Sequence, residues 1–138
     1  MRTRVYNNKE QIFCAWRGRW VRLTPEEWVR QQLLHRLVEQ FGYPASLIAV
    51  ETAITVGEAN KRCDAVVYDR QMRPLMLIEC KAETVPLTQK TLDQAITYNR
   101  KLEVPYLLLH NGPQTIFVHL TSDSQPHAST IIPAYSQL

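Results

Sequence analysis

The 138-residue chain is 45% hydrophobic and 21% charged, the balance of one ordinary folded domain, which excludes bulk disorder. Its net charge of +3 permits a nucleic-acid partner without demanding one. No apolar run reaches the ~18 residues of a membrane helix, no GxxxxGKS/T loop is present for an ATP motor, and Cys14, Cys63 and Cys80 lack the CxxC spacing of structural zinc. An odd number of cysteines without a signal peptide points to a reducing, cytoplasmic setting.

Charge is unevenly placed. Arg2, Arg4, Lys9, Arg17, Arg19, Arg22, Arg30 and Arg36 crowd the first quarter, opposed there by Glu10, Glu26 and Glu27. After Pro105 the one formal charge is Asp123. A polyanion would meet the N-terminal part first; a merely solvated basic surface is the plainer alternative.

In chain order, residues 1–23 read as a basic, aromatic arm or short strand packing on the main body, and residues 24–138 as a single domain. Thr24-Pro25-Glu26-Glu27 is a helix start: Thr24 caps, Pro25 suits the first helical position, and Glu27 stands three residues past the cap. Leu34, Leu37, Val38 and Phe41 give that helix its apolar face, and Gly42-Tyr43-Pro44 ends it. Residues 47–56 predict a strand, with Ile48, Val50, Ile54 and Val56 on one face. Residues 62–68 and 74–81 predict two more, joined by the polar loop 69–73. Thr88 or Thr91 caps a second helix running to about Leu102, with Leu92, Ala95, Ile96 and Leu102 as its stripe and Pro105 beyond it. Residues 106–109 form a continuously apolar strand suited to the sheet centre, and 115–120 return as another. Residues 122–129 read as loose, with Ile131, Ile132 and Tyr135 docking the tail. The sum is a mixed β-sheet flanked by helices, α/β or α+β in class.

One hairpin gathers the chemistry. A loop symmetric about Gln71 and Met72 sets Asp64 opposite Glu79, and Arg62 opposite Lys81. Glu79 and Lys81, two apart on one strand, share a face. A bulge would shift this register by a residue. Two facing carboxylates repel; a divalent cation resolves the repulsion, and oxygen-only ligands suit Mg²⁺, with Mn²⁺ as a substitute. Lys81 could hold the attacking water and screen charge on a phosphate. An ordinary surface ion-pair cluster is the competing reading.

Gln94 and Tyr98, four apart, lie off the apolar stripe of the second helix and could be presented to metal, water or DNA backbone; the alternative is one solvated and one packed edge residue. Glu27 has two roles open to it, closing a capping box with Thr24 or reaching the metal or its water. Cys63 and Cys80 face each other across the hairpin in the same register, as two small buried hydrophobes, with a redox switch as the lesser alternative. His35, His110, His119 and His127 share no spacing that suggests a joint site.

A helix glutamate, then Asp64, then Glu79-Cys80-Lys81, then Gln94-x-x-x-Tyr98 resembles the PD-(D/E)XK nuclease superfamily. The QxxxY element is similar to the branch shared by RecB-like nucleases and the N-terminal nuclease domain of type I restriction enzyme R subunits. The stretches WVRLTPEEWVRQ, RCDAVVYDRQMRPLMLIECKA and TQKTLDQAITYN look like small stand-alone proteins carrying that domain, and the resemblance spans roughly Trp20 to Leu120. It implies a restriction-endonuclease-like core and Mg²⁺ held by Asp64 and Glu79 with the backbone carbonyl of Cys80. It implies that Lys81 positions or activates the water, that Gln94 supports the site, and that cleavage leaves a 5′-phosphate. Cys63 precedes Asp64 where family members often have proline. The R subunit's ATP-driven translocase is not in this chain, so translocation is not carried over.

The function expected is Mg²⁺-dependent hydrolysis of DNA by an endonuclease. One site per chain means that cutting both strands needs a second copy, as in a homodimer, or a partner. The alternatives are a silent nuclease fold that binds DNA or a partner, and a nuclease acting on RNA.

Overall fold

A computed structural model describes residues 1–56, 59–120 and 126–138, and the side chains of those residues outside 52–61. Nine strands and two α-helices occur among them. Residues 1–23 are more than an arm: β1 (Thr3–Tyr6), β2 (Lys9–Cys14) and β3 (Arg19–Arg22) form a three-stranded antiparallel meander. Its inner face buries Ile12, Cys14 and Val21. Trp16 and Arg17, in the β2–β3 turn, tie it to the body. The Trp16 indole donates to the Ala45 carbonyl at 3.2 Å and meets His35 edge-on.

Helix α1 (Pro25–Phe41) begins where the sequence places it, with the Thr24 hydroxyl accepting from the Glu27 amide at 3.0 Å. Gly42 ends it at φ 73, a left-handed conformation that costs a residue with a Cβ roughly 1–2 kcal/mol. The main sheet runs β4 (Ile48–Val56), β5 (Ala59–Tyr68), β6 (Pro74–Cys80), β7 (Tyr106–His110), β8 (Thr115–His119), β9 (His127–Ser129). Among the described residues only β6 and β7 pair in parallel. Parallel neighbours need a crossover, and α2 (Gln89–Leu102), capped by Thr88, supplies it.

The sheet is therefore clad on both faces. Leu33, Leu34 and Leu37 of α1 pack on Ala65, Val67, Met76, Ile78 and Leu108. Leu92, Ala95, Ile96 and Leu102 of α2 pack on Val66, Leu77, Leu107, Leu109 and Val118. Strand β7, between β6 and β8, is buried as its unbroken apolar run demands.

Three expectations are corrected. Residues 127–129 are an edge strand paired to β8, because the polar stretch still offers backbone donors and acceptors to an open sheet edge; 121–125 lie outside the described residues. Ile131 is 73% exposed and takes no part in docking the tail; Ile132, Tyr135 and Leu138 pack on the core, and the Tyr135 hydroxyl reaches the Tyr68 carbonyl at 3.0 Å. Cys63 and Cys80 are buried in different core clusters, one under each helix, and do not face each other. Ile48 and Val50 share the α1 face as expected; Ile54 and Val56 fall outside the described side chains.

Candidate active site

The hairpin of β5 and β6 keeps the anticipated register by a different route. Tyr68 pairs with Pro74, which centres the loop on Gln71 alone; an irregularity at Val67/Tyr68 then restores the pairs Val67–Met76, Val66–Leu77 and Ala65–Ile78. The ladder stops there, one pair short of Asp64 and Glu79. The reason lies in the pleat. Cys63 and Val66 share one core cluster while Ala65 and Val67 share the other. Residues three apart cannot share a face of a regular strand, so the alternation breaks around Asp64.

That break turns Asp64 toward α1. Its Oδ2 accepts from the Cys80 amide at 2.7 Å, and its Oδ1 from Arg30 Nη2 at 3.0 Å. Asp64, Glu79 and Lys81 line one open cleft of about 700 Å³, together with Arg62, Arg19, Trp20 and Arg22. Glu79 is half-buried, with its Oε1 shut off from solvent, and Lys81 is exposed. Thus the three residues of the hairpin do converge.

Beneath them lies a network that sequence reasoning did not assemble. Arg17 and Arg30 each bridge Glu27 and Glu51. Arg17 bonds Glu27 at 2.7 Å and Glu51 at 2.9 Å; Arg30 Nη1 lies 3.1 Å from each. Gln31 donates to Glu27 at 2.8 Å. Glu27 is buried, so its amide serves the Thr24 cap while its carboxylate turns inward to the arginines. Burial opposes the Arg30 charge, but Glu27, Asp64 and Glu51 outweigh it and raise its pKa. Burial likewise opposes the Glu51 charge, and Arg30, Arg17 and Arg62 overcome it and lower its pKa. Glu51 sits at φ 50 inside a strand, a conformation uncommon for a residue with a side chain.

Glu26 was also missed. It lines the same cleft as Asp64, and burial followed by the Asp64 charge raises its pKa against the pull of Arg30 and Lys81. Its neighbour Glu27 drew attention by cap spacing. The one sequence signal for Arg30 is its place three residues after Glu27 on the same helix.

Gln94 and Tyr98 lie on exposed positions of α2, and neither lines the cleft. Burial, then the Asp64 charge, pushes the Cys80 thiol far up, so it stays protonated and could offer a metal only its carbonyl oxygen. Among the described residues no group of three or more His, Cys, Asp or Glu side chains is placed to hold a metal ion by itself. The donor set still fits one Mg²⁺. Crowded carboxyls of Glu26 and Asp64 with Glu79 nearby are hard oxygen donors, and Mg²⁺ takes one or two carboxylates and leaves its remaining positions to water and phosphate. Each Asp64 oxygen accepts one bond in the structure and retains a second lone pair.

A mixed sheet with a helix on each face, and an acid–acid–lysine cleft at the end of one hairpin, define a nuclease-like α/β fold. Two solved structures share it. A fragment described as an HsdR subunit of a type I restriction enzyme from Vibrio vulnificus has a TM-score of 0.58 at 18% identity, covering 81% of this chain and 24% of that one. A protein described as a nuclease of the DUF820 group from Anabaena variabilis has a TM-score of 0.53 at 10% identity, covering 94% and 84%. No curated protein matches the chain. Residues 25–133 match the family "Type I restriction enzyme R protein N terminus", and the chain belongs to that family. It spans 24% of the length of the Vibrio chain.

Proposed function

We propose that this protein is a Mg²⁺-dependent endonuclease that hydrolyses phosphodiester bonds of DNA. One observation carries the reading: Asp64, Glu79 and Lys81 line a single open cleft, with Glu26 in the same lining. Asp64 and Glu79 would hold the ion, with the Cys80 carbonyl as a further oxygen. When bound, it would polarise a phosphoryl oxygen and acidify a water. Lys81 places a cation where negative charge grows on the phosphate, and its exposure lets substrate reach it. Arg30 on one side and the Cys80 amide on the other fix the Asp64 carboxylate in place.

The test is cleavage of supercoiled, linear and single-stranded DNA, and of RNA, by purified protein with Mg²⁺ or Mn²⁺. Asp64→Ala, Glu79→Ala and Lys81→Ala should each abolish cutting while circular dichroism stays unchanged. If the unaltered protein cuts none of these substrates, the proposal fails.

A second reading has its own support. Arg30 already places a guanidinium on Asp64, and Arg17 with Arg30 compensates Glu27 and Glu51. A site so neutralised could serve a silent module that binds nucleic acid without cutting. Calorimetry separates the two: a nuclease site should take up Mn²⁺ with measurable heat lost in Asp64→Ala, and a silent one should not.

A further inference from the structure

The N-terminal meander carries a face that the cleft chemistry leaves unused. Cross-strand partners share a face, so Arg4, Gln11 and Arg22 form one row, Phe13 and Trp20 the next, and Tyr6 and Lys9 another. Arg2 joins them, its guanidinium lying 5.0 Å from the Phe13 ring and 5.3 Å from the Trp20 ring. The opposite face holds buried Ile12, Cys14 and Val21, so this one looks outward. Glu10, paired with Val5, belongs to that other face. The outward face therefore presents Arg2, Arg4, Lys9 and Arg22 over Tyr6, Phe13 and Trp20, without a carboxylate.

The cations are set in place before any partner arrives. Arg4 lies 4.2 Å over Trp20 and 4.9 Å over Tyr6, and its Nε donates to Gln11 at 2.7 Å. A stacked, hydrogen-bonded guanidinium has less freedom left to lose on binding. Among the described residues no carboxylate pairs with Arg2, Arg4, Lys9 or Arg22. Trp20 and Arg22 also line the cleft beside Asp64, Glu79 and Lys81, so face and cleft are continuous.

We infer that this face grips the phosphodiester backbone of a nucleic acid and leads it to the cleft. Ordered cations on an aromatic sheet, free of acids, are suited to a phosphate chain. The inference deepens the proposed function by naming the surface that holds the same polymer, but the grip itself needs no metal.

Its test is binding in EDTA, where no cutting occurs. Labelled duplex and single-stranded DNA are titrated by fluorescence anisotropy over a salt series, with wild type and with Arg2→Gln/Arg4→Gln/Arg22→Gln. Affinity for duplex at low salt should fall at least about tenfold, and the slope of log affinity on log salt should shrink by about 2.7, roughly 0.9 for each phosphate that the variant no longer neutralises. Arg70→Gln/Arg73→Gln/Lys101→Gln removes equal charge elsewhere and should change the slope little. Should the stacked triple variant fold poorly, Lys9→Gln/Arg22→Gln leaves Arg2 and Arg4 on their rings and should lower the slope by about 1.8. Equal losses in the two triple variants, an unchanged slope in the meander variants, or no binding by wild type would each overturn the inference. Binding in EDTA without cutting in Mg²⁺ would sink the nuclease reading and leave this one standing.

Discussion

Replacing Arg30 with methionine removes the cation that touches Glu27, Glu51 and Asp64 at once. Their side chains are 7%, 38% and 15% exposed, and that of Arg30 is 6% exposed. Glu51 is wet enough that solvent screens its share, so the cost falls on Glu27 and Asp64. Stranding a buried charge by removing its partner typically costs about 3–5 kcal/mol. Glu27 keeps Arg17 at 2.7 Å and Gln31 at 2.8 Å, and Asp64 keeps the Cys80 amide at 2.7 Å, which puts the expectation near the lower end, about 3 kcal/mol. Urea unfolding monitored by circular dichroism should show that loss with an unchanged m-value. Adding Glu27→Gln should then recover part of it, because the charge left behind is itself the source of the cost. A loss under about 1 kcal/mol, or a double variant whose losses simply add, would refute the reasoning.

Thr24→Ala should cost about 1 kcal/mol in the same assay, since it orphans the Glu27 amide at the start of α1; no change would mean that another group caps that helix. His110 supplies an acid-side prediction. Burial, then the Arg36 charge, lowers its pKa to about 4 from an ordinary 6.5. The folded state therefore excludes a proton that the unfolded chain accepts. Its contribution is intact above pH 6.5 and lost progressively as pH falls toward about 4, at most roughly 3 kcal/mol in all. His110→Gln should flatten that part of the stability–pH curve relative to wild type, and parallel curves would show the histidine titrates normally.

Periodicity made the helices and the sheet centre legible, because burial on two faces leaves a strong record: the stripe from Leu92 to Leu102 and the unbroken run Tyr106–Leu109 both pack as they read. The convergence of Asp64, Glu79 and Lys81 followed from strand register. The means did not, since the loop is centred one half-step away and an irregularity compensates. What stayed hidden is what depends on tertiary contact. Nothing in the spacing of Arg17, Arg30 and Glu51 announces that they meet, for they come from a turn, a helix and a strand. Nor does a sequence reveal that the pleat breaks at Asp64 and so parts Cys63 from Cys80. The meander was unreadable for another reason: its strands are four to six residues long and mostly exposed, so they carry little alternation to detect.

The family match begins at Pro25, yet Arg17 lies upstream of it. A fragment trimmed to that boundary would leave Glu27 with Arg30 and Gln31, and Glu51 with Arg30 as its ion-pair partner and the charge of Arg62. The first two dozen residues thus act as a counterion delivered by the chain itself. Cutting them away would change the electrostatics under the cleft as surely as a substitution inside it.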